Sequence, residues 1–295
     1  MGKCGVFLHE LLPNVPYEEN FSLSEHTTIG TGGGASAFFP KDIEQLTSFT
    51  RLCNRCKIPF FVLGKGSNIL PCDGEYENPV LLLSSFNHIA ADGEYVTAES
   101  GVSVGKLLHF CLGKSLGGVE FLCGIPASVG GLVYMNGGTA EGHISDIAES
   151  VTCLTDGKIL TYSREECAFD YKVSRFQREK SVILSAKFKL KKTDREEIKK
   201  RTQEIILKRA HLPKGKSMGC VFKNPYPSLS AGQLIEFCGL KGEKVGGAVL
   251  SSTHANFIIN EENATSAEIK TLIARVKNRV YERTGIILVE EIGLM

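Results

Sequence analysis

A chain of 295 residues, 42% of them hydrophobic, is long enough for about two or three domains with full cores and excludes a small stapled scaffold. Lysine plus arginine number 34 against 33 aspartate plus glutamate, so no summed field points to nucleic acid or to an anionic membrane surface. The longest apolar runs are strand-sized and the start of the chain lacks a basic segment followed by an apolar core, which predicts a soluble cytoplasmic protein that holds anionic ligands by local groups.

Residues 1–20 carry Pro13, Pro16 and little periodicity, and read as an N-terminal leader. From Phe21 a compact α/β unit is predicted to run to residue 83. It holds the glycine-rich segment 27–35, a helix over Ile43–Cys56 capped by Asp42, a strand over 58–63, the loop Gly64-Lys65-Gly66-Ser67-Asn68, and a strand over 80–83 after the Asp73-Gly74 turn. A second unit, 84–192, opens with a strand at 95–98 and a Ser103-capped helix bearing Val104, Leu107, Leu108, Cys111 and Leu112 on one face. It continues through the stretch 124–138 to a hairpin of 151–155 and 158–162 joined by Asp156-Gly157, then to the alternating strand Val182, Leu184, Ala186, Phe188, Leu190.

The third unit, 193–295, begins with a charged connecting helix up to His211, whose interleaved acids and bases predict a solvated face rather than a polyanion site. Beyond it lie Gly219-Cys220-Val221-Phe222-Lys223-Asn224-Pro225, a helix over Ala231, Leu234, Ile235 and Cys238 closed by Gly239, and strands at 245–249 and 256–259. A last helix opens with the capping box Thr265 and Glu268, carries Ile269, Leu272, Ile273, Val276 and Val280 on one stripe, and ends at Gly285. A strand over 286–292 bearing Glu290 and Glu291 follows.

Ten cysteines are scattered rather than set at scaffold spacing, which suits a reducing compartment. Cys53-Asn54-Arg55-Cys56 has no second CxxC or HxxxH to complete a zinc site and falls on the apolar face of a predicted helix, so core packing is expected and no metal. The stretch 124–138 brackets a short apolar run with glycines and, taken alone, is either a tight turn beside a buried strand or a surface for close ligand approach. The loop 64–68, placed directly after a strand, favours the second reading, because strand-then-glycine-loop order brings backbone amides to a pyrophosphate.

Taken together, the segments 27–35, 63–68, 124–138, Tyr171-Lys172-Val173-Ser174, 219–225, Val245-Gly246-Gly247-Ala248 and Glu290-Glu291 resemble, in order and spacing, the UDP-N-acetylenolpyruvoylglucosamine reductase family. The resemblance runs from about Phe21 to the last residue. It implies an α+β fold: a two-part FAD-binding domain of the vanillyl-alcohol-oxidase type plus a C-terminal α/β substrate domain. It also implies noncovalent FAD, NADPH as hydride donor, and a UDP-sugar substrate whose enolpyruvyl group is reduced to a muramate for peptidoglycan precursor synthesis. The short span between Lys241 and His254 resembles the form lacking a substrate-capping insertion.

Carried over by position, the proton donor is Cys220, and Lys172 and Glu291 organise the developing enolate. Cys220 and Lys172 depart from the family pattern, which has serine and arginine there; Arg175 is a nearby stand-in for the arginine. The FAD contacts implied are Gly64, Lys65, Gly66, Ser67, Asn68, Gly124, Ile125, Pro126, Ser128, Gly130, Gly131, Asn136, Gly138 and Ile144, and the substrate contacts Tyr171, Lys223 and Asn224. Two other readings compete: an oxidase of the same fold that returns electrons to oxygen, and a flavin-binding module without catalysis.

Overall fold

The computed structural model describes residues 3–295. Its first unit is a four-stranded sheet in the order Tyr17–Ser22, Gly34–Phe38, Tyr76–Leu82, Phe61–Leu63, the first pair antiparallel and the others parallel. The helix Ile43–Cys56 starts where the Asp42 carboxylate accepts from Gln45 N and stops at Lys57 in the left-handed region. Its buried face carries Leu46, Phe49, Leu52 and Cys53, so the CxxC segment packs into the core. The stretch read as a leader holds the helix Lys3–Leu11 and the strand Tyr17–Ser22, with Leu8 and Val15 buried against Phe38, Phe49 and Leu81. A nine-residue helix that stops just before Pro13 offers too few turns for a period to show. Met1 and Gly2 lie outside the described residues.

The second unit is a five-stranded antiparallel sheet in the order Lys158–Ser163, Ala148–Thr155, Ser181–Lys189, Tyr95–Glu99, Ile89–Asp92. Asp156 and Gly157 both have positive φ, the geometry that joins the hairpin as its dipeptide predicts. Leu154, Val182 and Leu184 of this sheet pack into the same core as Phe38 and Phe49, so the first two units share apolar interior. Within 124–138 the chain forms the helix Val129–Tyr134, capped by Ser128; its two glycines, Gly130 and Gly131, hide it from a propensity reading.

The third unit sets the helices Ala231–Phe237 and Ser266–Thr284 against the sheet Ser217–Cys220, Phe257–Asn260, Ala248–Leu250, Lys244–Val245. The expected strand 245–249 is two strands, because Gly246 and Gly247 turn the chain between Val245 and Ala248. The expected strand 286–292 forms only one bridge, Phe222 to Glu290, and pairing resumes in parallel between Gly293–Leu294 and Ile69–Leu70 of the first unit. Asp73 ties the same two units by accepting from Ser266 N and Ala267 N at the start of the last helix. Among the described residues no helix is long and apolar enough to cross a membrane.

Candidate active site

A cleft of about 2750 Å³ opens where the three units meet, and both glycine segments line it. The loop 64–68 leaves the end of the parallel strand Phe61–Leu63. Gly66 has φ +59, and a Cβ there would collide with His26 O and Thr27 Cα. No hydrogen bond within the described residues uses the amides of Lys65, Gly66, Ser67 or Asn68, so four consecutive donors are left at the cleft wall for an anion.

The second segment works differently from the sequence expectation. Gly130 N donates to Ser100 O at 2.8 Å and Gly131 N to Ser128 Oγ at 3.4 Å, so these amides are committed internally. What they leave is a surface without side chains: a Cβ on Gly131 would meet only Ser128 Oγ, at 3.6 Å, on the protein side. Gly124, Ile125, Pro126, Ser128, Gly130, Gly131 and Gly138 line the cleft. Asn136 and Ile144 do not. The Asn136 amide donates to Asp170 O and accepts from Ser145 N, both at 3.0 Å, and Ile144 is buried in the second unit's core, so both brace the wall from behind.

Across the cleft, Cys220 ends the strand Ser217–Cys220 directly after Gly219, whose φ is +74. Lys172 sits at φ +56 in a tight turn closed by Asp170 N to Val173 O and Val173 N to Asp170 O. Its ammonium lies 2.9 Å from Glu291 Oε1, with side chains 17% and 10% exposed. Glu291 is held from two sides: its amide donates to Val221 O at 2.7 Å, and its carbonyl accepts from Asn68 Nδ2 at 3.2 Å. Glu290 instead pairs with Lys277 at 2.8 Å and stays off the cleft wall. Burial, reinforced by the Glu291 charge, pushes the Cys220 thiol up to about 11 against the opposing pull of Lys172, Arg209 and a hydrogen bond from Asn256.

Arg175 is not available to replace Lys172. Its guanidinium pairs with Glu179 at 2.8 Å, stacks 4.1 Å over the Tyr162 ring and lies outside the cleft. Tyr171 and Asn224 line the cleft and join its two sides, the backbone N–H of Asn224 donating to the Tyr171 hydroxyl at 3.2 Å. Lys223 does not line it; its amide is paired with Val289 O. Arg209 and Asn256 are among the cleft residues that the sequence reading does not single out. Arg209, at the end of the charged helix Arg195–Arg209, reaches Gly124 O at 3.5 Å, and Asn256 is buried beneath Phe222.

Residues 35–163 match the model of an FAD binding domain, and residues 210–295 match that of the UDP-N-acetylenolpyruvoylglucosamine reductase C-terminal domain. The chain is 40% identical over 278 residues to the UDP-N-acetylenolpyruvoylglucosamine reductase of Heliobacterium modesticaldum, covering 92% of this chain and 88% of that one. The chain belongs to the UDP-N-acetylenolpyruvoylglucosamine reductase family. A crystal structure of the reductase from Thermus caldophilus matches with a TM-score of 0.83 at 35% identity, over 95% of this chain and 99% of that one. Berberine bridge enzyme from Eschscholzia californica shares the fold alone, with a TM-score of 0.50 and 16% identity over 65% of this chain and 44% of that one. The reductase fold is therefore α+β, with a vanillyl-alcohol-oxidase-type FAD-binding part followed by the family's C-terminal domain. The tight turn at Gly246-Gly247 and the short path from Leu250 to Phe257 fit the short form of the reductase family.

Proposed function

We propose that this enzyme reduces the enolpyruvyl group of UDP-N-acetylglucosamine enolpyruvate, giving UDP-N-acetylmuramate for peptidoglycan precursor synthesis, with FAD as cofactor and NADPH as reductant. The observation that carries the reading is the convergence of Cys220, Lys172 and Glu291 on one cleft with four free amides and a bare glycine surface. The amides of Lys65 to Asn68 would hold the FAD pyrophosphate, and the surface at Gly131 would admit a flat ring system. When bound and reduced by NADPH, FAD supplies the hydride that adds to the vinyl end of the enolpyruvyl group.

The electron pair left on the adjacent carbon spreads into the substrate carboxylate. Lys172 supplies positive charge there, as a compact ammonium rather than a planar fork, so Glu291 must hold it in place. The Cys220 S–H bond breaks as the new C–H bond forms, and the thiolate regains its proton from solvent in the cleft. Because the thiol is pushed up to about 11, the donor is loaded throughout the neutral range. Tyr171 and Asn224, which line the cleft and are hydrogen-bonded to each other, would contact the UDP-sugar. Ten free thiols suit a reducing compartment, and we place the reaction in the cytoplasm.

Stopped-flow measurement of the two half-reactions tests the assignment. In Cys220→Ala, flavin reduction by NADPH stays within about twofold of the parent, while oxidation by the enolpyruvyl substrate slows by roughly 10²–10⁴. Parental oxidation in that variant would give the donor role to another group. Turnover sustained by oxygen without the enolpyruvyl substrate would support an oxidase instead.

A further inference from the structure

Residues 221 and 222, which lead on from Cys220 and bridge to the segment bearing Glu291, are held largely by one residue. Asn256 is 2% exposed and immediately precedes the strand Phe257–Asn260, whose Phe257 is the register partner of Cys220. Its side-chain amide accepts from Phe222 N at 2.9 Å and donates to Phe222 O at 2.8 Å. Its backbone carbonyl accepts from Val221 N at 2.9 Å, while Val221 O accepts from Glu291 N at 2.7 Å. Every backbone polar group of residues 221 and 222 is thereby taken, three of the four by Asn256.

Such a fixture is needed because the ladder fails here. The pairing of Ser217–Cys220 with Phe257–Asn260 shifts register between Ser217 and Cys220, so the strand edge runs out just where the donor sits. An asparagine side chain carries one acceptor and one amide donor side by side, as a peptide does, and can replace the missing edge. Asn256 lines the cleft, as Cys220 does, and its side chain lies close enough to the thiol to oppose the upward push of burial.

Building on the assignment of Cys220 as proton donor, we propose that Asn256 is a positioning residue for the reaction: its amide substitutes for a strand edge and aims the thiol at the substrate carbon, in fixed relation to Glu291. A donor displaced by about 1 Å loses on the order of 10²-fold in rate without a change in chemistry, which sets the size of the effect.

The test uses flavin-loaded Asn256→Asp, which keeps the acceptor for Phe222 N and loses the donor to Phe222 O, together with Asn256→Ala. NADPH-dependent flavin reduction is expected within about twofold of the parent. Oxidation by the enolpyruvyl substrate is expected to slow about 10- to 100-fold, in kcat rather than KM. A double-variant cycle separates positioning from general structural support: in a Cys220→Ala background, Asn256→Asp should slow this step no further, because it acts through the thiol. An equal slowing in both backgrounds, a parental rate in Asn256→Asp, or loss of flavin from both Asn256 variants overturns the proposal. Failure of the underlying assignment is recognised separately, because Cys220→Ala alone would then oxidise at the parental rate, and the positioning role falls with it.

Discussion

Lys172 Nζ stands 2.9 Å from Glu291 Oε1, and neither side chain is more than one-fifth exposed. The pair joins the second unit to the third across the cleft. Replacing Lys172 by methionine leaves a largely buried carboxylate without a partner, a loss on the order of 3 kcal/mol in stability. Adding Glu291→Gln should restore most of that stability in thermal denaturation. It should not restore turnover, since the charge beside the developing enolate is gone; substrate-dependent flavin oxidation should stay roughly 10²–10⁴ below the parent in both variants. Lys172→Arg should retain activity. Recovery of rate in the double variant would show that the ammonium serves the fold alone.

An ordinary thiol near pH 8.5 predicts a loss of donor function at mildly alkaline pH. Burial and Glu291 move that loss, because Cys220 is pushed up to about 11. The protonated form is the donor, so the rate of substrate-dependent flavin oxidation should be level through neutral pH and fall only as pH rises toward about 11. Cys220→Ser should abolish that alkaline limb. For the same reason iodoacetamide at pH 7 should inactivate the enzyme far more slowly than it alkylates a free thiol.

Burial also pushes Cys53, Cys111 and Cys167 up to about 12. Their neutral form is the one the core accepts, so the stability they contribute is complete below about pH 9 and is lost as pH rises through about 12. Each thiol adds a slope of up to about 1.4 kcal/mol per pH unit in that window. Urea midpoints should therefore be flat from pH 7 to 8.5 and drop steeply by pH 10.5. The triple Cys→Ala variant should show a shallower drop; an unchanged drop would assign it to other groups.

Gly66 and Gly131 separate fold from cofactor. Gly66→Ala forces a side chain into a left-handed backbone and against His26 O and Thr27 Cα, so it should lower thermal stability together with flavin content. Gly131→Ala finds only Ser128 Oγ at 3.6 Å. It should therefore fold as the parent does and lose flavin, because the added methyl occupies the bare surface. A fully yellow Gly131→Ala protein would show that this surface does not approach the ring system.

Where local chemistry decides, the sequence was readable. The caps at Asp42, Ser103 and Thr265, the stop at Gly285 and the Asp156-Gly157 turn each lie within a few residues of what they control. The helix Val129–Tyr134 was hidden because its glycines serve close packing, Gly130 lying against Ser100, at the expense of helix propensity. Segment 286–292 alternates as a strand would, yet its pairing is a single bridge, Glu290 to Phe222, flanked by the bonds to Val221 and Lys223. Cys220, Lys172 and Glu291 were reached only through family resemblance, since nothing in their own neighbourhoods marks them. Asn136, Ile144 and Lys223 come from the right segments and face away from the cleft, a distinction of side-chain direction that position alone does not carry. Asn256 and Arg209 were missed because their partners, Phe222 and Gly124, lie 34 and 85 residues away.

The bond from Asn68 to the Glu291 carbonyl spans 223 residues, and the adjoining parallel pair, Gly293–Leu294 on Ile69–Leu70, closes a loop of about three-quarters of the chain. Closing so long a loop costs chain entropy that no local contact repays in advance, so this seam should zip late in folding. During refolding from denaturant, helix signal should therefore return well before catalytic turnover, with the glycine loop and the acid that faces it coming into register as one final event.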